Sequence, residues 1–153
     1  MTTQEYKVEH KRIIMDKFSV TLLPGTVRLY KCTRDEFQGI IKHRFYDITK
    51  DILCQTMLDD EVTFYFHVLE KNAASHKVFQ SICVYDPRSY RAIDIHEDVP
   101  GIDHVGIIYQ ISKRFVEKQI PILYINTYGH NIVLVLEEYL PHAFEVLKEI
   151  AYV

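Results

Sequence analysis

No block of lysine and arginine stands out anywhere in this chain, so the electrostatic footprint of a nucleic-acid binder is missing. No apolar run approaches the roughly 20 residues needed to cross a bilayer, and membrane insertion is not expected. The opening segment, MTTQEYKVEHKR, is polar and carries no hydrophobic stretch, unlike a secretory signal. Cysteine is scarce. Cys32, Cys54 and Cys83 are widely spaced and form no CxxC, which suits reduced thiols in a cytoplasmic protein better than a disulfide framework. Catalytic signatures are also lacking. Ser19, Ser75, Ser81, Ser89 and Ser112 have no GxSxG context, and there is no GxGxxG, Walker loop or HExxH. Neither a catalytic residue nor a cofactor is expected. The adjacent trio His96-Glu97-Asp98 suits a strand end, because sequence neighbours rarely converge on one metal ion.

What remains is an ordinary globular composition: 48% apolar and 25% charged residues, with 18 basic and 21 acidic side chains leaving a formal charge of −3. A chain of 153 residues suits one domain or two very small ones sharing a core. At that size about 68–70% of the unfolded chain's surface can be buried without staples.

Along the chain, Phe18–Leu23 and Val27–Cys32 read as strands joined by the turn dipeptide Pro24-Gly25. Thr33–Phe45 has helical character, with Phe37, Ile40 and Ile41 on one side. Ile52–Leu58 and Val62–Leu69 flank Asp59-Asp60-Glu61 and predict a hairpin. Lys71–Tyr85 stays open: Val78, Ile82 and Tyr85 fit a helical stripe, whereas Ile82-Cys83-Val84 also fits a strand. Tyr90–His96 alternates as a strand should. Ile102–Lys118 then puts Ile107, Ile108, Ile111 and Phe115 on one helical face, with Asp103 as N-cap and Ile102 with Ile107 as a hydrophobic staple. Pro121–Thr127 and Ile132–Leu136 are strands, and a last helix starting near Pro141 is expected to bury Phe144, Leu147 and Ile150. From Tyr90 the order is strand, helix, strand, strand, helix, most of a split β-α-β arrangement. The missing strand must come from the first half, either Phe18–Leu23 or Val27–Cys32. Phe64, Tyr65 and Phe66 suggest base stacking on a sheet, but without RNP spacing around them core and dimer packing explains them better.

The stretch GIIYQISKRFVEKQIPILYINTYGHNIVLVLEEYL resembles the ACT domains, with looser support from LLPGTVRLYKC and FYFHVLE. It is most similar to the tandem-ACT group of small uncharacterised ACT proteins and CASTOR-like amino-acid sensors. That group follows a helix with a strand ending in Ser-Thr-aromatic, a second strand reading (I/L)LV, an acidic pair and a helix. The resemblance implies an α+β, ferredoxin-like βαββαβ fold in two interlocked ACT-type units with antiparallel sheets: a degenerate N-terminal unit over residues 17–85 and a C-terminal ACT domain over 86–153. It also implies a non-catalytic regulatory or sensory module. Such a module would bind an amino acid or similar carboxylate at an interface between units or in a homodimer, and would regulate a protein partner.

Position by position, the resemblance places the ligand at Asp103, His104, Val105, Gly106, Ile120, Pro121, Ile122, Thr127 and Asn131. The physical case concerns the helix start, whose unpaired amides and partial positive charge suit a small carboxylate. Each residue also has an ordinary reading: Asp103 as a cap, His104 as a solvated side chain, Gly106 for close packing, and Asn126 with Asn131 as turn residues. The arginine sensor carries a small hydroxyl residue at the Pro121 position and acidic residues at His104 and Asn131. A cationic side chain would lose its charge-assisted partners here, and proline removes an amide donor. The expected ligand is therefore a neutral amino acid, or an anionic one helped by protonated His104, and not arginine. A protein-interaction module that kept the fold and lost the ligand is the alternative.

Overall fold

The computed structural model describes residues 18–42, 50–97 and 106–149. Two compact units emerge, and the chain does not visit them in simple succession. Pro24–Tyr90 forms a contiguous unit, whereas the strand before it joins the elements from Arg91 onward in a split unit.

The contiguous unit runs β2 (Thr26–Thr33), α1 (Arg34–Lys42), β3 (Ile52–Leu58), β4 (Glu61–Val68), α2 (Ala73–Ile82) and β5 (Val84–Tyr85). Its sheet order is β3-β4-β2-β5, with every pairing antiparallel. Residues alternate across a strand, so Val62, Phe64 and Phe66 of β4 point to one face and are buried there. They join Tyr30, Phe37 and Phe79 in an aromatic core. The β3–β4 turn is Asp59-Asp60, with Leu58 opposite Glu61; Asp59 takes φ 53, a left-handed value that aspartate tolerates better than most residues. Thr33 and Glu36 form a capping box at the start of α1. The Glu36 N–H donates to Thr33 Oγ1 at 3.2 Å and the Thr33 N–H to Glu36 Oε2 at 3.0 Å, which satisfies two otherwise unpaired amides.

The split unit uses β1 (Phe18–Leu22), β6 (Tyr90–Glu97), α3 (Ile107–Glu117), β7 (Ile122–Thr127), β8 (His130–Leu136) and α4 (Leu140–Lys148). Its order is β1-β6-β8-β7, so β1 supplies the strand that the second half of the sequence lacks. Ser19 lies opposite His96 and Leu22 opposite Ile93. Of the two candidate strands, Phe18–Leu23 is the one used. Ile93, Ile95, Val133 and Val135 pack against Ile107, Ile111, Phe115, Ala143, Val146 and Leu147.

Several expectations about helix faces are corrected. The buried side of α2 carries Ser75 and Phe79, while Val78, Ile82 and the following Tyr85 are 38–42% exposed; burying one phenyl ring sets the helix's rotation in place of the smaller side chains. Both readings of Lys71–Tyr85 hold in part, since helix α2 runs directly into β5. Ile108 is 47% exposed although Ile107, Ile111 and Phe115 are buried. In α4 the inward positions are Ala143, Val146 and Leu147, with Phe144 half-buried; Ile150 lies outside the described residues. Helix α3 begins at Ile107 with Gly106 at the cap in the left-handed conformation, φ 83. Asp103 therefore does not hold the N-cap position, and Asp103 and Ile102 lie outside the described residues.

Candidate functional site

The hairpin of β7 and β8 turns on Tyr128-Gly129, because Thr127 stands opposite His130. Gly129 takes φ 88, the positive value that the second central residue of a type II turn requires. This tight turn places a polar group at one end of the split unit. Asn131 is fully buried, and its amide oxygen accepts from Tyr124 Oη at 2.7 Å and from Asn126 Nδ2 at 2.9 Å. Its own Nδ2 donates to the Ile95 carbonyl at 3.4 Å, which fixes this end of β8 beside the last residues of β6. On the opposite face of the same strands, His130 Nδ1 lies 2.8 and 3.0 Å from the Asp94 carboxylate oxygens, and the His96 ring sits 4.8 Å from that of His130.

The sequence-predicted residues divide between two ends of this unit. Thr127 and Asn131 sit at the hairpin end, where Thr127 Oγ1 reaches the His130 carbonyl at 3.5 Å. Ile120 and Pro121 lead into Ile122 at the far end of β7, where Ile122 stands opposite Val135, about 17 Å away along the strand. Ile120 is buried and its N–H donates to the Phe115 carbonyl at 3.0 Å. Pro121 is exposed. Gly106 opens an 11-residue helix about 16 Å long, and the far end of that helix leads straight into Ile120. Gly106 thus belongs with the hairpin end, and the helix start is not brought beside the proline that begins β7. Asp103, His104 and Val105 lie outside the described residues.

The two helix starts differ chemically. Thr33 and Glu36 occupy the amides of α1, and Arg34 adds bonds to the Asp59 carbonyl and, at 3.4 Å, to Asp60 Oδ1. Gly106, by contrast, has no side chain with which to cap α3. The Tyr124–Asn126–Asn131 network and the His130–Asp94 pair were missed by sequence reasoning. Alternation in YRAIDIH does put Asp94 and His96 on one strand face, but their meeting with His130 depends on β6 lying beside β8. A hollow lined by Thr33, Leu58, Asp59, Asp60 and Glu61 and a groove along Leu29, Lys31, Val84 and Tyr85 both belong to the contiguous unit, whereas the described ligand candidates belong to the split unit. Among the described residues no cluster of histidine, cysteine and carboxylate side chains forms a metal site, and no helix is long and apolar enough to cross a membrane.

Residues 87–149 match a family model described as the ACT domain. No curated protein matches the chain, whereas many solved structures do. One, from Vibrio cholerae, is described as a protein of unknown function and possible transport protein; it is 15% identical over 95% of this chain and 98% of its own, with a TM-score of 0.66. Another contains aspartokinase alpha and beta subunits, at 14% identity over 86% of this chain and 95% of that one, TM-score 0.65. A third is the ligand-free regulatory subunit of aspartate kinase from Thermus thermophilus, at 11% identity over 90% and 98%, TM-score 0.59. These likenesses establish an ACT-type α+β fold across both units.

Proposed function

From an ACT-type fold whose second half matches the ACT-domain model, we propose that the protein is a non-catalytic, cytoplasmic regulatory module that senses a small amino acid or similar carboxylate. The binding surface centres on the hairpin end of the split unit, and a second copy of the chain in a homodimer faces it. The observation that carries this reading is the pairing of a glycine-capped helix start with the buried Asn131 network. The amides of a helix start attract a carboxylate, and a fully bonded amide core holds the neighbouring Asn126 and Thr127 in fixed positions. Regulation of a protein partner follows from the role that solved relatives with this fold carry in their descriptions, a regulatory subunit among them.

A second reading, an interaction module without a ligand, draws support from the outward face of α3, where Ile108, Tyr109 and Val116 are 47%, 63% and 73% exposed. Thermal-shift titration against the twenty amino acids, with native mass spectrometry of freshly purified protein, separates the two. A midpoint rise with a neutral or acidic amino acid, and none with arginine, is the expected result. A rise with arginine alone overturns the ligand class, and indifference to all twenty favours the interaction module.

A further inference from the structure

Tyr30 lies opposite Tyr85, and Lys31 opposite Val84, in the antiparallel pairing of β2 with β5. One further step of this register sets Cys32 opposite Cys83. The Asp86 N–H donates to the Leu29 carbonyl at 3.0 Å, which makes Leu29/Asp86 a hydrogen-bonded pair. Such pairs alternate with non-bonded ones, so Cys32/Cys83 occupies a non-bonded position. There the Cα atoms approach to about 4.5 Å with side chains close, inside the roughly 4.4–6.8 Å that a disulfide spans. Consistently, the Cys83 N–H turns back to the Phe79 carbonyl at 2.8 Å rather than across the ladder. Both cysteines are buried, at 7% and 8% exposure, in the same aromatic core.

We propose that Cys32 and Cys83 form a reversible cross-strand disulfide that clasps β5 to β2. With a small-molecule disulfide such as oxidised glutathione as oxidant, one cysteine thiolate attacks a glutathione sulfur and expels a first glutathione thiolate. The second cysteine then attacks the protein sulfur of the mixed disulfide and expels the other. Two protein thiols lose their protons and two electrons, and two glutathione thiols are formed. Access is gated by β5, which is only two residues long and exposes Val84 at 68% and Tyr85 at 40%. Burial raises the Cys32 thiol and pushes Cys83 up to about 12, so the closed strand keeps both protonated and slow to react, and fraying of β5 starts the exchange. The bond would fix the last strand of the contiguous unit and the end of α2 that leads into it.

The test uses the full chain carrying Cys54→Ser, which removes the third, partly exposed thiol. The protein is incubated with mixtures of oxidised and reduced glutathione, alkylated, and mapped by peptide mass spectrometry. The expected product is a Cys32–Cys83 linked peptide, formed faster in mild urea, accompanied by a thermal midpoint higher by roughly 4–8 °C and reversed by dithiothreitol. Adding Cys83→Ser should abolish the rise; if that variant does not fold, the peptide map alone decides. Stable glutathione adducts without an internal link, links between chains, or thiols that stay free at every ratio would each overturn the proposal.

Discussion

The two units arrange their strands in one sheet order, although the split unit takes its edge strand β1 from before the other unit, and they fill that order with different chemistry. The contiguous unit packs Tyr30, Phe37, Phe64, Phe66 and Phe79 with two cysteines. The split unit packs isoleucine, valine, leucine and alanine around Phe115, the one buried phenylalanine among its described residues. A ferredoxin-like plan needs inward positions on two helices and four strands to be apolar and of matching volume; it does not need a particular apolar residue. The ACT-domain model covers residues 87–149, most of the aliphatic unit but none of the aromatic core, although both units have the same sheet order. Pattern recognised by residue type is thus lost before the fold is.

The sharpest way to break this comparison is to empty the aromatic core. Phe64 is 1% exposed and its ring lies 5.1 Å from Tyr30, 5.5 Å from Phe37 and 5.5 Å from Phe79. Phe64→Ala should cost about 3–5 kcal/mol, measured by urea denaturation. In the aliphatic core, Ile111→Val should cost only about 0.5–1.5 kcal/mol. Equal costs would mean that the ring cluster has already loosened elsewhere, and the contrast between the cores would fail.

A smaller effect separates the two fully buried asparagines, one in each unit. Asn72 accepts from the Leu69 N–H at 2.8 Å and donates to Asp51 Oδ2 at 3.0 Å and the His67 carbonyl at 2.8 Å. Asn72→Ala strands a backbone amide and takes one donor from the buried Asp51 carboxylate, which keeps Lys71 Nζ at 3.6 Å, at a cost of about 2–3 kcal/mol. Asn131→Ala releases Tyr124 and Asn126, both of which have access to water, and should cost about 1–2 kcal/mol. It should also weaken any amino-acid-dependent thermal shift, which Asn72→Ala should leave intact in whatever protein remains folded. If both abolish the shift equally, Asn131 has no special link to the ligand.

Acid should weaken the contiguous unit. Burial lowers His67 below its ordinary 6.5, and its Nδ1 is buried without a partner. His76 is lowered by burial and then by Arg28. For a group whose folded value is depressed, the unfolded chain binds more protons. The stability held above pH 6.5 is therefore lost as pH falls below it. Asp86, held far below the usual carboxylate range chiefly by its hydrogen bonds with Arg88, adds a second loss once pH drops below its ordinary 3.8. Denaturation midpoints from pH 7.5 to 5 should decline, and His67→Gln should flatten the slope; a slope unchanged by that variant would remove His67 as its source.

Much of the fold was legible because its signals are local. The hairpin strands Ile52–Leu58 and Glu61–Val68 fall within a residue of where apolar runs either side of Asp59-Asp60-Glu61 put them, and the last helix does start near Pro141, at Leu140. Helix rotation was harder: Val78 and Ile82 have the right spacing, yet one larger side chain, Phe79, takes the interior. The start of α3 was misplaced because Asp103 is a good cap by type, whereas the observed cap depends on a left-handed Gly106. The capping box was readable in Thr33-Arg34-Asp35-Glu36 and went unread. The candidate site was the least legible part. Which end of β7 lies near the helix start follows from α3 running its full length before Ile120, and the company that the hairpin end keeps follows from β8 lying beside β6.

The smallest effect tests the comparison by sign rather than by size. Gly39 sits inside α1 without a positive φ, and a Cβ built on it meets no atom of the described residues within 4 Å beyond its chain neighbours and its own helix backbone. Alanine there should stabilise by about 0.4–1 kcal/mol, because it restricts the unfolded chain and suits a helix better than glycine does. Gly129 in the split unit presents the opposite case. At φ 88 an alanine must adopt the left-handed conformation, and Gly129→Ala should destabilise by about 1–2 kcal/mol. The same substitution thus changes sign between units because backbone conformation, not burial, decides it, and paired thermal midpoints read the difference directly. If Gly39→Ala lowered the midpoint instead, the open space beside it would have to be filled in solution. The outer face of α1 would then be a contact surface, and the contiguous unit, not the split one, would be the place to look for a partner.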